Sequence, residues 1–132
     1  MIVFWVLGIL FPMAFLGRVW PAFGRLFNAI FAADWAHVVM HGFLYLVLGV
    51  LLTLGLKPAR ARTYLLLFGL ALVVGVLHEG IQLLAAGVWT SWGAELLDIS
   101  VDLIGAGLGI GLAAVFLGRR SARTASPFRD QP

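Results

Sequence analysis

The sequence predicts an all-α fold: a polytopic transmembrane helix bundle with four spans and one short interfacial helix. Of its 132 residues, 62% are hydrophobic and 11% are charged, and the mean hydropathy is +1.04. A domain of this length cannot hide so much apolar surface from water, so lipid must be the solvent for most of the chain. The sequence has no cysteine, which excludes disulfides, thiolate metal sites and a cysteine nucleophile.

The first predicted span covers residues 2–16. No Lys or Arg precedes this apolar run, which favours a retained helix over a cleavable signal peptide. The later spans cover residues 36–56, 64–85 and 96–117, each close to the ~20 residues that cross a ~30 Å hydrocarbon core. We expect residues 1–132 to form a single membrane domain.

Residues 18–34 separate the first two spans. Three residues, Arg18, Arg25 and Asn28, lie on one helical face of this segment, and apolar side chains cover much of the rest. The pattern is typical of a short helix in the membrane interface, with Trp20 and Trp35 as headgroup anchors. A fifth span that contains Arg is the alternative.

Basic residues predict the orientation of the chain. The segment "LKPARAR" and the tail, residues 118–132, together carry all but two of the nine Lys and Arg residues. The positive-inside rule places both segments in the cytoplasm. With four spans, both termini are then cytoplasmic, and we expect a multi-pass protein of the bacterial cytoplasmic (inner) membrane. The net charge of +3 follows this membrane pattern, so we expect no nucleic-acid partner.

Polar residues recur at helical spacing inside three of the predicted spans. Steps of three and four residues place the following on shared faces: His37, His41 and Tyr45; Gly75, Glu79 and Gln82; and Asp98, Asp102, Gly105 and Gly109. Small residues mark the faces where membrane helices approach closely, so these polar groups should face the bundle interior. Under the predicted topology, His41, Glu79 and Asp102 lie level, about 8 to 9 Å below the outer surface. The predicted ligand-binding or proton-linked cluster consists of His41, Tyr45, Glu79, Gln82, Asp98 and Asp102.

A structural role and a zinc site are the two alternatives for these polar residues. Interhelical hydrogen bonds would be purely structural, although an ionisable group inside a span indicates function by default. The segment "HEGIQ" is one letter from the zinc motif H-E-x-x-H, but Gln82 holds the second ligand position and is a poor zinc ligand. His78 lies about 100° around the helix from Glu79, so we expect Glu79 and Gln82 to carry the polar face. A metal site built across helices from His41, His78 and Asp102 has no spacing rule behind it.

Three motifs then occur in order along the spans. They are "H-x-x-x-Y-x-x-L-G" at His41, Tyr45, Leu48 and Gly49; "E-x-x-Q" at Glu79 and Gln82; and "D-x-x-x-D-x-x-G-x-x-x-G" at Asp98, Asp102, Gly105 and Gly109. Together they resemble the VanZ-like family of small bacterial membrane proteins over about residues 37–113. The chain departs from that family where His37 and Val38 replace an Asp-Lys pair, where Asp102 replaces an Asn, and where a loop Arg is missing. The resemblance implies a role in tolerance to lipoglycopeptide antibiotics of the teicoplanin type, with no assigned biochemical activity.

Three hypotheses follow. The leading one is a VanZ-like membrane protein whose outer-leaflet polar cavity binds a small or lipidic envelope ligand. The second is a non-catalytic accessory subunit of a larger respiratory or photosynthetic membrane complex, which meets its partners through small-residue faces such as that of Gly105 and Gly109. The third is a metal-dependent membrane hydrolase. Candidate metal or pigment ligands are His37, His41 and His78; the sequence identifies no cofactor and no catalytic residue, and it favours a non-enzymatic role.

Overall fold

The computed structural model describes residues 1–11, 16–17, 19–30, 33–86 and 91–124. Its helices are α1 (Ile2–Leu10), α2 (Pro21–Ile30), α3 (Asp34–Leu56), α4 (Ala61–Ala86) and α5 (Trp92–Thr124). The described residues contain no strand, which confirms the all-α prediction.

Three helices are long enough and apolar enough to cross a membrane: Trp35–Leu56, Ala61–Ala85 and Trp92–Arg120. They correspond to the second, third and fourth predicted spans. The count of four spans is not confirmed, because α1 has only 9 residues. Phe11 adopts an extended conformation with ψ 122°, as expected of a residue that precedes proline, and residues 12–15 lie outside the described part.

Helix α1 begins at the end of the bundle where α3 finishes. A Cβ atom built on Gly55 would lie 2.8 Å from Cδ1 of Ile2, so the chain starts beside the last turn of α3. The indole Nε1 of Trp5 donates a hydrogen bond of 3.0 Å to the carbonyl oxygen of Leu44. Helix α3 itself begins at the opposite end of the bundle.

The connection from α3 to α4 is short because Lys57 terminates α3 in the left-handed region. Lys57 has φ 45°, and its N–H donates to the carbonyl oxygen of Thr53 at 2.9 Å. This C-terminal arrangement commonly precedes a proline, and Pro58 follows here. Helix α4 therefore returns antiparallel to α3.

Helices α3 and α5 run in the same direction and touch along their glycines. A Cβ atom on Gly105 would overlap the carbonyl oxygen of Gly42, and one on Gly109 would overlap that of Leu46. On α3, a Cβ atom on Gly49 would overlap the carbonyl oxygen of Ala106. The absence of side chains lets the two backbones meet directly, as expected for close packing in lipid.

This packing corrects one prediction. The face of Gly105 and Gly109 was expected to meet a partner protein, but helix α3 of the same chain covers it. The two glycines are needed for internal packing because any side chain there would push α3 and α5 apart.

An apolar layer fills the bundle on the side of the α3–α4 connection. Its buried members come from four helices: Ile9, Tyr45, Leu48, Leu52, Leu67, Ala71, Val74, Ala106 and Ile110. Large apolar side chains on the opposite faces are exposed, including Leu65 at 73% and Leu84 at 85%. Such outward-facing apolar surface suits contact with the lipid bilayer.

Helix α2 has no buried residue. Two of its aromatic rings stack in a row with that of Trp20, the residue before the helix: the centroids are 6.1 Å apart for Trp20 and Phe23 and 5.9 Å apart for Phe23 and Phe27. Its interfacial position stays a prediction. At the other end of the chain, α5 continues through Thr124, seven residues past the predicted end of the fourth span, and residues 125–132 lie outside the described part.

Candidate functional site

A histidine and an aspartate form the centre of the site. The glycine contact between α3 and α5 brings Nδ1 of His41 to 3.0 Å from Oδ1 of Asp102. Both side chains are fully buried. The contact needs both helices in close register, since Gly42 follows His41 directly and Gly105 lies one turn beyond Asp102.

Helix α4 adds two further ionisable groups to this centre. Oε1 of Glu79 lies 3.7 Å from Nδ1 of His41, and the ring of His78 stacks on that of His41 with centroids 5.2 Å apart. Glu79 and His78 are 5% and 7% exposed. We call His41, His78, Glu79 and Asp102 the buried cluster.

His78 was not expected on the polar face, and the structure corrects that expectation. Helix α4 lies against both α3 and α5, so a broad arc of its surface is buried, including the adjacent positions 78 and 79. The spacing of Ala71, Val74 and His78, all buried, was the signal that could have revealed this. The face that carries Gly75 is only one part of this arc.

The contact between His41 and Asp102 is repeated one turn closer to the N-terminal ends of α3 and α5. Nε2 of His37 lies 3.4 Å from Oδ2 of Asp98, and the rings of His37 and His41 are 4.4 Å apart. The side chain of His37 is 41% exposed and that of Asp98 is 17% exposed. We call His37 and Asp98 the rim pair, because they connect the buried cluster to the surface.

Tyr45 and Gln82 border the buried cluster. Tyr45 is fully buried; its hydroxyl and Oδ2 of Asp102 both lie next to Gly75, which has no side chain to separate them. Nε2 of Gln82 lies 2.8 Å from Nε2 of His78, so Gln82 reaches the cluster through His78 and not through Glu79. All the site residues predicted from the sequence thus lie in one connected group.

The buried cluster contains polar atoms without a hydrogen-bond partner among the described residues. They are Nε2 of His41, the hydroxyl of Tyr45, Nδ1 of His78, Oε1 of Glu79 and Oδ2 of Asp102. Buried polar groups are usually paired, so unpaired ones indicate a ligand, a catalytic role or stored strain. The ion pairs described for Glu79, Asp98 and Asp102 all have histidine partners, so no Lys or Arg neutralises the carboxylates within the described chain.

Two overlapping sets of side chains have the composition and spacing of a metal site. One is the buried cluster itself, and the other consists of His37, His41 and Asp98; within each set the ligand atoms lie within 4.8 Å of one another. Imidazole and carboxylate groups also transfer protons. The arrangement can therefore hold a cation, a proton or the polar part of a ligand.

We compared the chain with protein-family models, curated proteins and solved structures, and none of them matches it.

Proposed function

We propose that this chain is a VanZ-like multi-pass membrane protein that binds an envelope ligand, small or lipidic, at the polar site between α3, α4 and α5. One observation carries the proposal: a continuous series of imidazoles and carboxylates runs from the half-exposed His37 to the fully buried Asp102. A structural clasp needs one such pair. A series that runs from an exposed to a buried side chain, with buried atoms that lack hydrogen bonds, suits a site that binds a ligand from the membrane surface.

The basic residues support an outer-leaflet position for the site. Lys57, Arg60 and Arg62 lie at the connection between α3 and α4. Because α3 and α5 are parallel, Arg119 and Arg120 lie at the same end of the bundle. The positive-inside rule then puts that end in the cytoplasm and the rim pair toward the envelope side of the inner membrane. The N-terminus, beside Gly55, shares the cytoplasmic end.

The charge of the site indicates the chemistry of the ligand. Three carboxylates and three histidines meet there, and none of the described ion pairs involves Lys or Arg. A ligand that brings positive charge or several hydrogen-bond donors would satisfy these acceptors. A purely anionic headgroup would be repelled unless a cation accompanied it.

The proposal is tested by complementation of a deletion strain under challenge with a lipoglycopeptide antibiotic of the teicoplanin type. We expect the wild-type chain to restore growth and Glu79→Gln and Asp102→Asn to fail, although both variants accumulate in the membrane. Glu95→Gln is the matched control, because it removes a carboxylate of α5 that belongs to neither ligand set. If both cluster variants restored growth fully, the site would be structural and the proposal would fail.

Purification from native membranes tests the rival hypothesis of an accessory subunit. A chain that is stable without partner proteins counts against that rival, whereas stoichiometric partner subunits would overturn the proposal of an autonomous ligand-binding protein.

A further inference from the structure

The buried cluster brings together the side chains that bind transition metals. His41 comes from α3, His78 and Glu79 from α4, and Asp102 from α5. Each side chain offers one ligand atom, and the four atoms lie within 4.8 Å of one another. We propose that these residues bind one divalent transition-metal ion of the Zn²⁺ class. The inference deepens the proposed function, and rests on it only in placing the ion in the same site.

Two of the distances within the cluster are close to those between ligand atoms around a small ion. Bonds of about 2.0 to 2.1 Å in a tetrahedron put neighbouring ligand atoms roughly 3.3 Å apart. Nδ1 of His41 is 3.0 Å from Oδ1 of Asp102 and 3.7 Å from Oε1 of Glu79. The widest separation, at most 4.8 Å, exceeds this value by up to about 1.5 Å. Binding of the ion would therefore require the side chains to rotate toward it.

The unpaired atoms are an independent argument for a cation. Glu79 and Asp102 are at least nine-tenths buried, and each keeps one carboxylate oxygen without a hydrogen-bond partner among the described residues. A buried carboxylate oxygen without a hydrogen bond is costly in a low-dielectric interior. An ion with two positive charges would compensate both carboxylates at once.

The donor set selects the class of metal. Two imidazoles and two carboxylates suit Zn²⁺, Fe²⁺ or Mn²⁺, whereas Mg²⁺ and Ca²⁺ prefer oxygen ligands alone. The set contains no thiolate or thioether, which disfavours Cu⁺. Zn²⁺ is therefore the appropriate probe.

Gln82 has a positioning role in this arrangement. Its amide lies 2.8 Å from Nε2 of His78, and Nδ1 of His78 has no described partner. A metal bound at Nδ1 leaves the proton on Nε2, which then donates to the amide oxygen of Gln82 after the amide turns over. Metal-bound histidines usually donate their second N–H in this way. Gln82 thus orients a ligand and is not itself the second ligand of a zinc motif.

The test is metal analysis of the full chain purified in detergent. We expect one Zn²⁺ per chain after dialysis against Zn²⁺, a higher melting temperature with Zn²⁺ than with chelator, and visible absorption bands of four-coordinate Co²⁺ after substitution. Glu79→Gln and Asp102→Asn should each weaken Zn²⁺ binding at least about tenfold, since even residues that only orient ligands contribute that much. Glu95→Gln should bind as the wild type does.

Several outcomes would overturn the inference: no stoichiometric Zn²⁺ on the wild type, or Zn²⁺ binding that neither cluster variant weakens. Circular dichroism and a monodisperse elution profile show whether the variants are folded. If the variants are not folded, the Co²⁺ spectrum of the wild type tests the inference, and the absence of four-coordinate bands would overturn it. If the wild type binds no metal but the variants lose envelope function, the proposed function stands and the metal site is refuted. If the wild type binds metal but the variants complement fully, the metal site stands and the proposed function is refuted.

Discussion

The buried cluster and the rim pair contain the same contact in two different environments. His41 meets Asp102 at 3.0 Å with both side chains fully buried, and one turn away His37 meets Asp98 at 3.4 Å with the histidine 41% exposed. The parallel course of α3 and α5 repeats the pair at the same sequence separation. One pair is partly exposed and the other is not, so the two pairs should differ in energy and in function.

The comparison teaches that a repeated sequence pattern does not imply a repeated role. An exposed ion pair contributes little, because water solvates each partner when the other is removed. A buried pair leaves a desolvated charge or donor behind when one partner is lost. We therefore expect substitutions in the rim pair to cost less stability than the removal of one partner from the buried pair of His41 and Asp102.

The largest effect is expected from a substitution that disrupts the contact between α3 and α5, on which both pairs depend. Gly105→Leu places a side chain against the carbonyl oxygen of Gly42, and we expect it to destabilise the bundle by about 3 kcal/mol. Gly111→Leu is the matched control because no atom lies within 4 Å of a Cβ there. Thermal unfolding in detergent measures the difference. Equal stability of the two variants would mean that α3 and α5 are not in contact through their glycines.

The next largest effect is a difference in stability between variants of the two aspartates, Asp102 and Asp98. Asp102→Ala removes the hydrogen-bond partner of the fully buried His41, and we expect a loss of about 2 kcal/mol in the metal-free protein. Asp98→Ala should cost less than about 0.5 kcal/mol. Both are compared by thermal unfolding in the presence of chelator. A similar cost at the two positions would refute the distinction between the pairs.

A smaller effect of opposite sign is expected at Glu79. Its buried Oε1 makes no hydrogen bond within the described chain, and its ion-pair contact with His41 is long at 3.7 Å. Because His41 keeps Asp102 as a partner, Glu79→Met should stabilise the metal-free protein by about 1 kcal/mol. The same variant should lose the stabilisation that Zn²⁺ gives to the wild type, because it lacks one of the ligands. A residue that lowers stability is often kept because a binding site needs it. Melting curves with and without Zn²⁺ measure both quantities. Destabilisation without metal would show that Glu79 is a structural partner of His41.

The smallest effect concerns the rim. His37→Ala should change the free energy of unfolding by less than about 0.5 kcal/mol and the Zn²⁺ affinity by less than about fivefold, since an exposed pair contributes at most about 1 kcal/mol. Calorimetric titration with Zn²⁺ gives the affinity. If His37→Ala reduced the Zn²⁺ affinity as much as Glu79→Gln does, the ion would bind at the set of His37, His41 and Asp98 and not at the buried cluster.

Much of the fold could be predicted because membrane helices are encoded locally. Apolar runs of sufficient length and helical spacing predicted the three long helices to within four residues at their N-terminal ends. The short α1 also had a local signal, Pro12, which restricts Phe11 to an extended conformation. The apolar composition of residues 2–16 predicted a longer helix, because a single proline hardly changes the average hydrophobicity of a segment.

The site could be predicted only in part. Periodicity grouped Asp98 with Asp102 and Glu79 with Gln82, because residues on one helical face share a local spacing. It did not place His78 in the cluster, because the width of the buried arc on α4 depends on how many helices touch it. It also did not reveal that Gln82 contacts His78, which depends on side-chain rotamers and not on spacing.

The sequence alone determined the helical, lipid-facing character of the chain, its long helices and the faces that carry polar and small residues. These are properties of single helices, and hydrophobicity with helical periodicity suffices to read them. Only the tertiary structure decided that α3 covers the Gly105 face, that His41 meets Asp102 and that His78 joins them. Those facts depend on which helices are neighbours and at what distance, and close packing of three surfaces sets both.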